Sequence, residues 1–183
     1  MTVRLLFTLY FLAAVSAPGC QADGCPHGET CACTPESGGC TCQDGGDCDL
    51  ACPDPACNPI CVDVDTCAAT CGDGCTFDCQ RSSDCSLATG KDSSIFCSKV
   101  TSCEATCGES CRYFCQDAET CRVTAGPGST LGCNRADRCE IFCEGSCIVD
   151  CGSVGACEIT CLGNDPVTCD DGRPACGEGC YIP

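Results

Sequence analysis

Cysteine recurs along this chain at a fixed interval. Cys67, Cys85, Cys103, Cys121, Cys139 and Cys157 form one series at steps of 18 residues, and Cys61, Cys79, Cys97, Cys115, Cys133, Cys151 and Cys169 form a second at the same step. A register kept over so many intervals marks a stacked repeat, each unit being one turn of a solenoid. With each coil numbered from the first series, position 3 reads Ala69, Leu87, Ala105, Val123, Ile141 and Ile159, and position 11 reads Phe77, Ile95, Tyr113, Leu131, Val149 and Val167. Positions 1, 3, 5 and 9, 11, 13 are thus apolar or cysteine with mostly polar residues between, the alternation of two half-buried strands. Position 16 (Val64, Ser82, Val100, Ala118, Ala136, Val154) is small and mostly apolar. The expectation is an all-β, disulfide-stapled β-solenoid (a β-helix) of 18-residue coils, each of two short strands plus a polar connection.

Position 6 carries Gly72, Gly90, Gly108 and Gly126, where a tight turn between the strands would use the positive φ open to glycine. The same glycines interrupt the helical stripe that the spacing Cys103, Cys107, Cys111, Cys115 would otherwise allow. The organisation expected is a leader at 1–19, an irregular acidic cysteine-rich cap or tether at 20–47, a solenoid of about seven coils at 48–180 and a short tail at 181–183. Within it Cys48 and Cys52 stand one residue out of register, as a one-residue insertion would leave them.

The leader is read from Arg4 followed by the apolar run Leu5 to Val15 and small residues. No second apolar run approaches the ~20 residues of a spanning helix. Val15-Ser16-Ala17 fits an ordinary cleavage site but sets Pro18 after the scissile bond, and Ala17-Pro18-Gly19-Cys20 resembles the lipobox of bacterial lipoproteins. That family prefers Leu first and a small residue second, and Ala17 and Pro18 depart from both. The resemblance implies a thioether-linked lipid on Cys20, a lipid bilayer as partner, and an outer-membrane or cell-surface location. Simple secretion is the alternative.

Thirty-one cysteines in 183 residues call for the oxidising compartment that a leader supplies. If the two strands of a coil face each other, position 1 lies opposite 13 and position 5 opposite 9. This pairs Cys67 with Cys79, Cys85 with Cys97, Cys103 with Cys115, Cys121 with Cys133, Cys139 with Cys151 and Cys157 with Cys169. It adds Cys71 with Cys75, Cys107 with Cys111 and Cys143 with Cys147, and in the first coil Cys48 with Cys61 and Cys52 with Cys57. Bridges between stacked coils remain open, since neighbouring strands lie ~4.8 Å apart.

The net charge of −17 makes nucleic acid an unexpected partner. Outward position 12 would stack Phe96 on Phe114 with Arg112 nearby, a candidate partner patch for an envelope protein or glycan. Position 2 would stack Glu104, Arg122 and Glu140. Asp44, Asp47, Asp49, Asp54, Asp63, Asp65, Asp73 and Asp78 offer the hard oxygens that suit Ca²⁺. They lack an EF-hand or a Gly-Gly-x-Gly-x-Asp repeat, so a solvated acidic surface is the expectation, with no cofactor. Cys31-Ala32-Cys33 and Cys40-Thr41-Cys42 superficially suit thiolate metal storage. His27 is the only histidine and has no nucleophile beside it, so catalysis is not expected.

The spacing from 48 to 180 resembles the cysteine-rich β-solenoids, of which insect antifreeze proteins are the familiar example, and the cysteine-rich repeat lipoproteins of bacteria. Antifreeze activity in that family needs an unbroken outward Thr ladder. Thr70, Thr106, Thr124 and Thr160 are interrupted here by Ala88 and Phe142, so ice binding does not carry over. What the resemblance leaves is a structural or adhesive envelope protein, with metal binding as the alternative.

Overall fold

A coil of this kind buries nothing alone, so its inward columns must stack on those of its neighbours. The computed structural model describes residues 30–33, 40–53, 55 and 57–181, and in them the chain is a β-solenoid of about seven turns. One wall stacks β1 (Thr30–Ala32), β3 (Asp47–Cys52), β5 (Thr66–Cys71), β7 (Asp84–Thr89) and β9 (Ser102–Cys107). The other stacks β2 (Thr41–Gln43), β4 (Ile60–Val62), β6 (Thr76–Gln80) and β8 (Ser94–Ser98). Two long strands, β10 (Arg112–Ala125) and β11 (Ser129–Cys143), bend round the corner and belong to both walls. The first wall ends at β13 (Ala156–Cys161) and the second continues through β12 (Cys147–Cys151).

Pairing is parallel and strictly in register. Cys67 stands beside Cys85, Cys85 beside Cys103, Cys103 beside Cys121 and Cys121 beside Cys139. The inward column at position 11 is filled by Phe77, Ile95, Tyr113, Leu131 and Val149, each 2% exposed or less. Position 16 is also inward, Val64, Ser82, Val100, Ala118 and Ala136 being buried. The parallel run ends where β15 (Pro174–Cys176) pairs antiparallel with β12 and with β14 (Val167–Thr168), followed by a 3-10 turn at Gly179–Tyr181.

Three expectations need correction. The described part of segment 20–47 is not irregular, since β1 pairs β3 and β2 pairs β4. These coils repeat at 19 residues, Thr30 standing beside Asp49 and Asp47 beside Thr66, which hides them from an 18-residue register.

The position-6 glycines do not take positive φ. That conformation belongs to position 8 (Gly74, Asp92, Ser110, Gly128) and position 15 (Asp63, Arg81, Lys99, Asp117, Arg135). Glycine is needed at position 6 because the coils touch there. A Cβ on Gly108 would lie 2.8 Å from the backbone nitrogen of Lys91, and one on Gly126 would lie 2.8 Å from the carbonyl carbon of Gly108.

The third correction is the long bridges. Position 13 is joined to position 1 of the next coil: Cys61–Cys67, Cys79–Cys85, Cys97–Cys103, Cys115–Cys121, Cys133–Cys139 and Cys151–Cys157, each with a sequence separation of 6. The same rule gives Cys42–Cys48 instead of Cys48 with Cys61, while Cys169 closes on Cys180. The link through positions 14 to 18 is short and turns inward at 16, which brings its two ends to a Cα separation of 6.2 to 6.6 Å. The short pairs Cys52–Cys57, Cys71–Cys75, Cys107–Cys111 and Cys143–Cys147 stand as expected at the opposite corner. Each such loop closure is worth about 2 kcal/mol against the unfolded chain.

Candidate functional site

Outward side chains stack in columns because every coil presents the same position to the same side. Phe96 registers on Phe114 and Arg112 on Ser94. The two rings are 42% and 39% exposed, so together they offer an apolar platform to solvent. The next residue in the column is Gly132. A Cβ there would come within 2.7 Å of Phe114 Cδ2, so the ring of Phe114 leans over the glycine. One side of the platform is edged by Gln80, Ser98, Gln116 and Asn134, with Gln116 Nε2 donating to Ser98 Oγ at 3.2 Å. The other side carries Thr76, Ser94, Arg112 and Thr130. In a strongly acidic chain this face is close to neutral.

The charged columns are mostly self-satisfied. Arg122 sits in register between Glu104 and Glu140 and pairs with Glu140 at 2.8 Å, and Arg138 joins Glu140 (2.7 Å) to Glu158 (3.1 Å). At the left-handed position 15, Arg81 grips Asp63 with two hydrogen bonds of 2.7 Å, and Arg135 grips Asp117 through Nε and Nη2. The hydrogen bonds from these arginines hold the carboxyls of Asp63 and Asp117 below their ordinary value. Positions 15 and 17 wall an open cleft of about 720 Å³ with Lys99 midway along it. Sequence reading missed this cleft, because Asp, Arg and Lys in a left-handed turn carry no glycine or asparagine signal.

The acidic residues proposed for Ca²⁺ disperse. Asp47 accepts from Thr66 Oγ1 (2.6 Å), Asp49 from Thr30 Oγ1 (2.8 Å), Asp65 from the Gly46 N–H (3.3 Å) and Asp73 from the Lys91 N–H (3.0 Å). Asp78 accepts from Gln80 and Asp63 is held by Arg81. Asp44 sits in a left-handed turn and Asp54 lies outside the described residues. Among the described residues no three of these carboxylates gather within 4.8 Å. Three sulfurs do gather so, those of Cys33, Cys52 and Cys57, but they belong to the bridges Cys33–Cys40 and Cys52–Cys57. A thiolate site there would require both to open.

Cys20, Cys25, His27 and the leader lie outside the described residues. Fourteen bridges pair 28 of the described cysteines with one another, and Cys31 is bridged as well. No helix among the described residues is long and apolar enough to cross a membrane.

Fold and surface together define a disulfide-stapled β-solenoid with an aromatic outer face. No family model, curated protein or solved structure matches the chain.

Proposed function

We propose that the chain is an exported, lipid-anchored rod of a bacterial cell envelope, structural or adhesive in role, that presents the Phe96–Phe114 face to an envelope protein or glycan. The observation carrying this reading is the bridging of every described cysteine, which requires an oxidising compartment. The lipobox-like Ala17-Pro18-Gly19-Cys20 supports an anchor at Cys20. Several acyl chains on one residue would hold the rod stably to a bilayer. The platform suits a sugar ring, whose C–H face meets the negative face of the phenyl rings while the amide and hydroxyl columns take its hydroxyls.

The deciding experiment is intact mass and fractionation of the protein from its native host. An acylated N-terminus, membrane association lost in Cys20→Ser, and no free thiols are expected. An unacylated chain with unchanged fractionation rejects the anchor, and many free thiols with bound metal reject the rod in favour of a metal-binding protein. For the face, the paired substitution Phe96→Ala with Phe114→Ala should abolish retention on isolated envelope polysaccharide without changing the circular dichroism spectrum.

A further inference from the structure

A solenoid needs both ends closed, because its last coil otherwise shows core side chains and an unpaired strand edge to water. The two ends of this one differ. At the amino-terminal end the inward residues Cys31, Cys33, Cys40 and Cys42 are all buried. At the other end β15 covers β12 on one wall, but β13 pairs only with β11. Its inward Cys157 is exposed and Ile159 and Cys161 are half-exposed, although Cys139, Ile141 and Cys143 one coil back are buried. Leu162 and Val167, the two most exposed large apolar residues described, lie at this same end (61% and 47%). Ala156–Cys161 holds no proline, lysine or glycine to guard the edge, and its one charged residue, Glu158, is paired with Arg138 of the coil below.

We propose that this edge is the dimer interface of the protein, β13 pairing antiparallel with β13 of a second copy about a two-fold axis at Ile159. Residues opposite each other across an antiparallel pair point to the same side. A register centred on Ile159 sets that residue against its copy on the inner side. On the outer side it sets Glu158 against Thr160 of the second copy, and Ala156 against Leu162. No like charges oppose each other, and Glu158 is already held by Arg138 at 3.1 Å. A head-to-tail filament would need the amino-terminal end open too. The inward Cys31, Cys33, Cys40 and Cys42 at that end are buried, whereas those of β13 are not, so the contact is isologous and stops at two. The two coils that hold β1 then lie at opposite ends of a doubled rod.

The test is the self-association of the full exported chain by analytical ultracentrifugation, with bridges intact. It does not depend on anchoring, so its outcome is separate from that of the proposed envelope role. A dimer is expected. Thr160→Glu, which sets two pairs of carboxylates against each other, should weaken it roughly tenfold, Thr160→Lys should tighten it, and Ile159→Lys should give monomer. Thr124 lies in the same outward column two coils away. Thr124→Glu changes net charge equally and should leave the dimer unaltered. A chain that stays monomeric, or a dimer indifferent to Thr160→Glu and Ile159→Lys, overturns the proposal. A response to Thr124→Glu as large as that to Thr160→Glu overturns it as well.

Discussion

Cys79 and Cys85 are joined across the corner between two successive coils, with their Cα atoms 6.6 Å apart, while Cys85 and Cys97 of one coil are not joined at all. The staples therefore pin the corners, and the space between the two walls is left to side chains such as Phe77, Ile95, Tyr113 and Leu131. Stability is thus shared between covalent corners and a packed interior, and each part can be tested separately.

Gly108→Ala tests the closeness of the stack. The new methyl would meet Lys91 N at 2.8 Å and Gly90 C at 3.0 Å, both backbone atoms fixed by the ladder. Overpacking of this kind should cost roughly 1–3 kcal/mol. Denaturant unfolding without reductant measures it, and an unchanged midpoint would show that the coils lie further apart there.

Thr89 and Ser93 occupy the corner positions that hold Cys71–Cys75 one coil below and Cys107–Cys111 one coil above. Thr89 Oγ1 is buried with no hydrogen-bond partner, whereas Ser93 Oγ accepts from the Cys75 N–H at 3.2 Å. Ser93 Oγ also donates to the Lys91 carbonyl at 3.2 Å, so Thr89→Cys with Ser93→Cys should form one further bridge yet change stability by less than about 1 kcal/mol, the loop-closure gain being offset by the two lost hydrogen bonds. Two free thiols in the folded variant would contradict the corner geometry.

Tyr113 fills the inward column at 2% exposure, its hydroxyl 3.5 Å from the Cys103 carbonyl. Burial pushes its phenol above the ordinary value. An unfolded chain releases that proton near pH 10 while the folded one keeps it. Stability from this group is therefore full below about pH 10 and is lost as pH rises toward the folded value. Unfolding measured across that range should show the loss in the native protein and lack it in Tyr113→Phe. Tyr113→Asp places an unpaired carboxylate in the same column at a cost of several kcal/mol, whereas Arg112→Asp on the outer face should be tolerated.

The 18-residue coil and the stacking of Phe96 on Phe114 were legible because cysteine and alternation fix both the period and the side each residue faces. The bridge partners were not. In a ring of 18 positions the two cysteine series lie 12 apart within a coil and 6 apart between coils, and alternation is the same for both. The distinction rests on the left-handed residues Asp63, Arg81, Lys99, Asp117 and Arg135, whose side chains give no sign of it. The coil containing β1 and β2 was hidden by its 19-residue step.

Tryptic digestion of the unreduced, denatured protein tests the corner-stapled solenoid most directly. Cleavage after Arg112 and Arg122 frees residues 113–122, which contain Cys115 and Cys121 and no other cysteine. With those two bridged to each other, the fragment should leave as a single peptide two hydrogens lighter than its reduced form. Bridges within a coil would keep it tied to peptides holding Cys103 and Cys133, and bridges between stacked coils to those holding Cys97 and Cys139. Recovery of residues 113–122 only after reduction would contradict the account.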